Sequence, residues 1–290
     1  MWNKIRNRVW HGWLKRPYIL AAPIDKGHGQ TVVLLHGIAN NHRSWAYTIP
    51  HIKAPCRVIA LDLLGFGDSP KPDTIEYTPA DHARAVAATL RKRGVKRAII
   101  VGHSMGALVA VEVAKRYPKL AKKLILCGVP IYQLNAQQKM LPNQESMYMK
   151  LYEQLLRQEA LALKAANGFK RLRRDIVYFD LDESNFYAFK KSLMNTIMRQ
   201  TAYDDIQSIK APVHFISGRL DLFVIRKHHK TLAGLASEGS FQLMTGPHDL
   251  GSRTSREVAE VINASLEGRP VRSGVHARKR RHKKPAMNGQ

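Results

Sequence analysis

The chain has 290 residues, 44% hydrophobic and 24% charged. That is enough to bury a sizeable core, and the balance is that of an ordinary globular protein, so disorder is excluded for the bulk of it. No stretch approaches the roughly 20 apolar residues a membrane-spanning helix needs. The formal net charge of +25 is concentrated at the ends, with five Lys or Arg in residues 1–16, eight in residues 269–290, and no acid in either.

At the N-terminus, Lys4, Arg6, Arg8, Lys15 and Arg16 interrupt any signal-type apolar run. Trp2, Ile5, Val9 and Trp13 fall at spacings of three and four, so residues 1–16 read as a basic amphipathic extension. Such a helix either packs on the body or meets an anionic membrane surface. Thr31–His36, Arg57–Leu61, Ala98–Gly102, Lys123–Cys127, Val213–Ser217 and Phe241–Thr245 are short, β-branched-rich apolar runs. Their continuous rather than alternating apolar character predicts parallel strands covered on both faces. Helices are predicted over Pro79–Arg93, Met105–Tyr117 and Ser255–Leu266, the first with Thr78 as N-cap, Pro79 in first position and Asp81 in the first turn. The alternation predicts an α/β fold with a doubly wound, mostly parallel sheet.

The alternation breaks between Cys127 and Val213, where about 85 residues carry no strand pattern. Helical spacing over Met147–Ala166 marks residues 131–208 as an inserted helical cap. The expected organisation is a 1–16 extension, a core of 17–130 and 209–268, a 131–208 cap, and a basic disordered tail over 269–290. The tail lacks interleaved aromatic residues for base stacking, so no specific nucleic-acid recognition is expected; it reads as a solvated, solubilising tail or as one that meets a polyanion or anionic membrane. Cys56 and Cys127 lie beside or within apolar runs and suit free thiols, which favours a cytoplasmic chain, peripheral at a membrane if the extension binds one.

Gly102-His103-Ser104-Met105-Gly106 closes one predicted strand and opens a predicted helix. A serine in that turn takes a strained backbone position, and the flanking glycines relieve crowding. With this motif the chain resembles the α/β-hydrolase family, and four more landmarks fit: His36-Gly37 after the first predicted strand, Asp62-Leu-Leu-Gly65-Phe-Gly67-Asp-Ser69 after the second, Asp221 in Gly218-Arg-Leu-Asp221, and His248 in Gly246-Pro-His248. The resemblance spans about residues 17–268, less closely in the cap. It implies Ser104 as nucleophile, His248 as base and Asp221 as the acid orienting it, with an oxyanion hole from the backbone N–H groups of Ile38 and Met105. Asp249 adjoins the histidine and is badly placed to face it, and Asp62 reads as structural. His103, His214, His228 and His229 read as packing or surface residues.

The expected function is a serine hydrolase cleaving a carboxylic ester of a small or medium apolar acyl group through an acyl-enzyme. Carbon–carbon bond hydrolase, thioesterase and acyltransferase chemistry on the same fold stay open. So does a non-catalytic binding protein that holds an acidic partner through its basic ends. No metal-ligand spacing and no phosphate loop occurs, so no cofactor is expected.

Overall fold

The computed structural model describes residues 16–132, 144–158 and 180–271, with residue 11, residues 163–164 and the backbone of 275–276. Its strands are β1 (Ile24–Gly27), β2 (Thr31–Leu35), β3 (Arg57–Leu61), β4 (Ala98–His103), β5 (Ala121–Cys127), β6 (Val213–Gly218), β7 (Gly239–Met244) and β8 (Val275–His276). They form an eight-stranded sheet in the order β1-β3-β2-β4-β5-β6-β7-β8. The six inner strands are parallel, and β1 and β8 pair antiparallel at the edges. The six predicted strands thus hold to within two residues at each end.

Alternate residues of each inner strand enter different cores, as a pleated strand requires. Val33, Leu35, Ile59, Leu61, Ile100, Leu124, Leu126 and Phe215 face one side. There they meet α1 (Pro79–Lys92), α2 (Met105–Arg116) and α6 (Arg226–Leu235). Val32, Leu34, Val58, Ile99, Val101, Ile125 and Ile216 face the other side, against Trp45 and α7 (Ser252–Leu266). Helix α1 starts as expected. Thr78 accepts from Asp81 N–H, the Asp81 carboxylate accepts from Thr78 N–H, and Pro79 sits in the first turn. Helix α7 begins at Ser252, three residues before the predicted start, with Gly251 as its cap.

Between β5 and β6 the described elements are α3 (Gln144–Arg157), α4 (Phe186–Ser192) running into a π-helical stretch Leu193–Met198, and α5 (Ala202–Ser208). No strand occurs there among the described residues. The 1–16 extension lies outside the described residues except for His11 and Arg16. Most of the 269–290 tail lies outside them too. Within that tail Val275–His276 pair with Ser240 and Phe241, which corrects the expectation of disorder at those two positions. Without them β7 would present unpaired backbone groups at the sheet edge.

After β3 the chain turns on Asp62, which is fully buried. Its carboxylate accepts from His42 N–H (2.7 Å), His42 Nδ1 (2.9 Å) and Asp68 N–H (2.9 Å), and its carbonyl accepts from the Ser69 hydroxyl (2.5 Å). Gly67 is required beside it, because a Cβ there would lie 2.3 Å from Asp62 Oδ2. Asp62 is thus the structural residue the sequence reading expected. Asp62→Ala strands these donors and is expected to cost roughly 2–4 kcal/mol in urea denaturation, against about 0.5 or less for the exposed Lys96→Ala. Equal stability of the two variants would refute this role.

Candidate active site

In the sheet order the chain steps from β2 out to β3, then crosses to β4 on the other side of β2. Crevices outside the carboxyl ends of strands at such a switch point are where open α/β sheets bind ligands. Two of the sequence-identified segments meet there. Leu35 is in register with Gly102, so the turns after β2 and β4 are neighbours. A Cβ on Gly37 would lie 3.2 Å from the Ser104 Cβ.

Ser104 has φ 52° and ψ −121°, a conformation that side-chain-bearing residues rarely adopt. Close packing enforces it. A Cβ on Gly102 would sit 2.4 Å from the Gly106 carbonyl oxygen, and one on Gly106 would sit 2.3 Å from that of Leu35. Strand and helix can therefore approach this closely only through bare backbone. Ser104 N–H donates to the Cys127 carbonyl (2.9 Å), which ties the turn to the end of β5. Met105 opens α2, and an N–H in a helix's first turn has no intrahelical acceptor.

His36 holds the opposite wall and is fully buried. Its Nε2 accepts from Leu63 N–H (2.8 Å), so its Nδ1 carries the proton and donates to the Gly37 carbonyl (2.7 Å). That bond fixes the plane of the peptide whose other end is the Ile38 N–H.

Asp221 and His248, 27 residues apart, come together at the ends of β6 and β7. His248 Nδ1 lies 2.8 Å from Asp221 Oδ2, and Asp221 Oδ1 accepts from Phe223 N–H (2.9 Å). Burial alone would raise the Asp221 carboxyl. The hydrogen bond and charge of His248, with the Phe223 N–H, outweigh it and hold the carboxyl below its ordinary value. The pair leans on Gly128 (φ +55°), where a Cβ would come within 3.2 Å of both partners. Asp249 makes no hydrogen bond or ion pair with the His248 ring among the described residues.

Ser104 Oγ and His248 make no hydrogen bond among the described residues. His103, which the sequence alone marks as a packing or surface residue, links the two halves. Its ring lies 5.0 Å from that of His248, and its Nε2 donates to the His248 carbonyl (2.8 Å). The ring of Phe223 stands 5.1 Å from that of His248. A cavity of about 390 Å³ opens beside His103, bounded also by Asn40, Leu220 and Pro247.

Sequence reasoning also missed the supports of the loop after β6. His229 Nε2 donates to the Val129 carbonyl (2.6 Å) while its Nδ1 faces the Ser217 hydroxyl (2.5 Å). The Tyr148 hydroxyl donates to the Leu222 carbonyl, and that of Tyr132 to the Phe223 carbonyl (3.1 Å). Tyr148 and Tyr152 one helical turn apart were the available signal, although nothing local says what they grip. Among the described residues His42, Asp62 and Asp68 form a group of metal-ligand type. Both Asp62 oxygens there already accept N–H groups.

A family model described as the alpha/beta hydrolase fold matches residues 30–245, which include Ser104 and Asp221 and end three residues before His248. The chain is 36% identical over 119 residues to an uncharacterized protein of Mycobacterium tuberculosis, a match covering 41% of this chain and 33% of that one. It is 37% identical over 108 residues to the probable lysophospholipase BODYGUARD 3 of Arabidopsis thaliana, covering 36% and 22%. The chain thus spans about a third or less of the length of these curated relatives. Among solved structures, an esterase from Exiguobacterium antarcticum superposes with a TM-score of 0.70 at 18% identity, covering 87% of this chain and 100% of that one.

Burial drives the pKa of His36, His82 and His229 down to about 4, and of His103 and His214 down to about 3. All five are therefore neutral in the folded state near pH 6, whereas an unfolded imidazole takes up its proton near 6.5. Below that value the unfolded chain binds more protons, so stability is full above about pH 6.5 and is lost as pH falls toward 4. Denaturant unfolding is expected to show stability declining by about 1 kcal/mol or more in total as pH falls from 7 to 5. A flat profile over that range would show these rings charged or exposed.

Proposed function

We propose, from the premise that the chain belongs to the alpha/beta hydrolase fold family, that it is a serine hydrolase acting on carboxylic esters of small or medium apolar acyl groups. The observation that carries this reading is the presence, at the carboxyl ends of inner strands of one sheet, of a strained serine at a strand–helix turn and a 2.8 Å Asp221–His248 pair whose carboxylate is buried.

In this reading His248 takes the proton of Ser104 Oγ as the oxygen attacks the substrate's carbonyl carbon. The carbonyl oxygen becomes an oxyanion, stabilised by the N–H groups of Ile38 and Met105. The tetrahedral species expels the alkoxide, to which His248 returns the proton, and the acyl group stays on Ser104. Water, deprotonated by the same imidazole, then attacks the acyl-enzyme and releases the carboxylic acid. Asp221 keeps the proton of neutral His248 on Nδ1 and stabilises the imidazolium that forms. His103 acts by holding the His248 backbone. The Ser104–His248 hydrogen bond forms when substrate fills the site, since such bonds are commonly long before substrate binds.

Residues 131–208 serve as a cap that selects the acyl group. Supporting this, Tyr132, Tyr148 and Tyr152 are buried and two of them bond the loop that carries Asp221. Met140, Phe169, Tyr178 and Phe179, further candidates to line its pocket, lie outside the described residues. The basic ends, 1–16 and 269–290, tether the enzyme to an anionic membrane or polyanion.

A fluorophosphonate probe is expected to label the wild type, and neither Ser104→Ala nor His248→Ala. Turnover of a short-chain p-nitrophenyl ester should fall about 10⁴-fold or more in both variants. Undiminished labelling or turnover in a folded Ser104→Ala chain would remove the assignment.

A further inference from the structure

The loop that delivers Asp221 inward presents an apolar face outward. Asp221 is 7% exposed, whereas Leu220 and Leu222 beside it are 68% and 76% exposed and Phe223 is 41% exposed. Helix α3 adds to this face, because the Tyr148 hydroxyl bonds the Leu222 carbonyl and so brings the helix against the loop. Met147 and Leu151, on the helix's outer side, are 60% and 45% exposed. Isolated exposed leucines are common, but a cluster of large apolar side chains drawn from two elements marks an interaction surface.

Two further features say what covers it. The first is charge. In residues 219–230 the exposed ionic side chains are Arg219, Arg226, Lys227 and Lys230, and the single acid is the buried Asp221. Along the chain Arg219 precedes the three apolar residues and Arg226 and Lys227 follow them. Exposed apolar side chains in a loop flanked along the chain by cations match the acyl boundary of a lipid layer with an anionic headgroup surface above it. An acidic protein would satisfy the cations, but nothing in its charge calls for exposed leucines at the centre. The second is continuity with the site. The Phe223 ring lies 5.1 Å from the His248 ring, and Leu220 also borders the cavity beside His103.

We infer that Leu220, Leu222, Phe223, Met147 and Leu151, bracketed by Arg219, Arg226 and Lys227, seat the mouth of the site on an anionic lipid surface, so that an acyl chain passes from the lipid to Ser104 without crossing water; this rests on the serine-hydrolase reading above. Burial of the apolar side chains holds the loop in the acyl boundary, and the cations select the headgroup charge.

The test uses the full chain and its L220S/L222S variant, both carrying the same termini, with sedimentation on phosphatidylcholine vesicles with and without about one third phosphatidylglycerol. The variant is expected to bind anionic vesicles about tenfold to a hundredfold more weakly than the wild type. It should hydrolyse an ester embedded in those vesicles correspondingly more slowly than the wild type. Arg219→Gln/Lys227→Gln should weaken binding to anionic vesicles about tenfold and leave binding to neutral ones unchanged. Binding of L220S/L222S equal to wild type overturns the inference and leaves the face to an acidic protein. Equal wild-type affinity for neutral and anionic vesicles overturns it as well. Absence of fluorophosphonate labelling in the wild type would instead defeat the hydrolase reading, and the vesicle comparison would still decide whether this face meets lipid.

Discussion

The structure depends on a close approach of backbone to backbone where β4 turns into α2. Gly102 and Gly106 leave no room for a methyl group on either side of Ser104, and the Leu35 carbonyl oxygen sits where a Gly106 Cβ would be. The central strand, its neighbour β2 and the buried helix α2 are therefore locked at one distance. A positive-φ residue such as Ser104 costs of order 1–3 kcal/mol and persists only where its surroundings over-determine it. Here the surroundings are α2, with ten of its twelve residues buried, and two strands buried along their whole length.

The other half of the site is held differently. Asp221 and His248 rest against the bare backbone of Gly128 and are positioned by hydrogen bonds from residues that do not themselves face the serine. Four of these supports are histidines or tyrosines whose polar atoms are engaged on backbone carbonyls: His103 on His248, His229 on Val129, Tyr148 on Leu222 and Tyr132 on Phe223. A neutral imidazole is well suited to this work. It offers one donor in a fixed direction and needs no counter-charge in the low-dielectric interior. The same burial that keeps these rings neutral makes the scaffold sensitive to acid, so the precision of the site and its pH range have one cause.

Much of this was legible in the sequence because the inner strands are buried on both faces and so read as unbroken apolar runs. The elbow was legible because the glycines on either side of Ser104 are demanded by contact rather than by flexibility. Asp221 and His248 were found by their places after strands, not by any local signal of pairing. What stayed hidden depends on long-range contact. Strand β1, Ile24–Gly27, is half exposed and antiparallel at an edge, so its four residues carry no hydrophobic pattern. Strand β8 is two residues long and exists only because β7 leaves an edge to pair. Nothing near His103 in the chain shows that its imidazole reaches a carbonyl 145 residues away.

The loop from Gly218 to Arg226 combines these constraints. A Cβ on Gly218 would lie 2.5 Å from the Gly246 carbonyl oxygen, so the loop leaves β6 pressed against the segment that carries His248. Its carboxylate is turned inward and bonded by His248 and by the loop's own Phe223 N–H. Once Asp221 is committed to the interior, the leucines on either side of it have nowhere to go but solvent. A loop with only a structural task would place small or polar residues there at no cost to the acid. Leucine at both positions, in a body whose charge is strongly positive, is what the proposed apolar and anionic surface would require, and the same loop geometry turns Asp221 inward and the leucines outward.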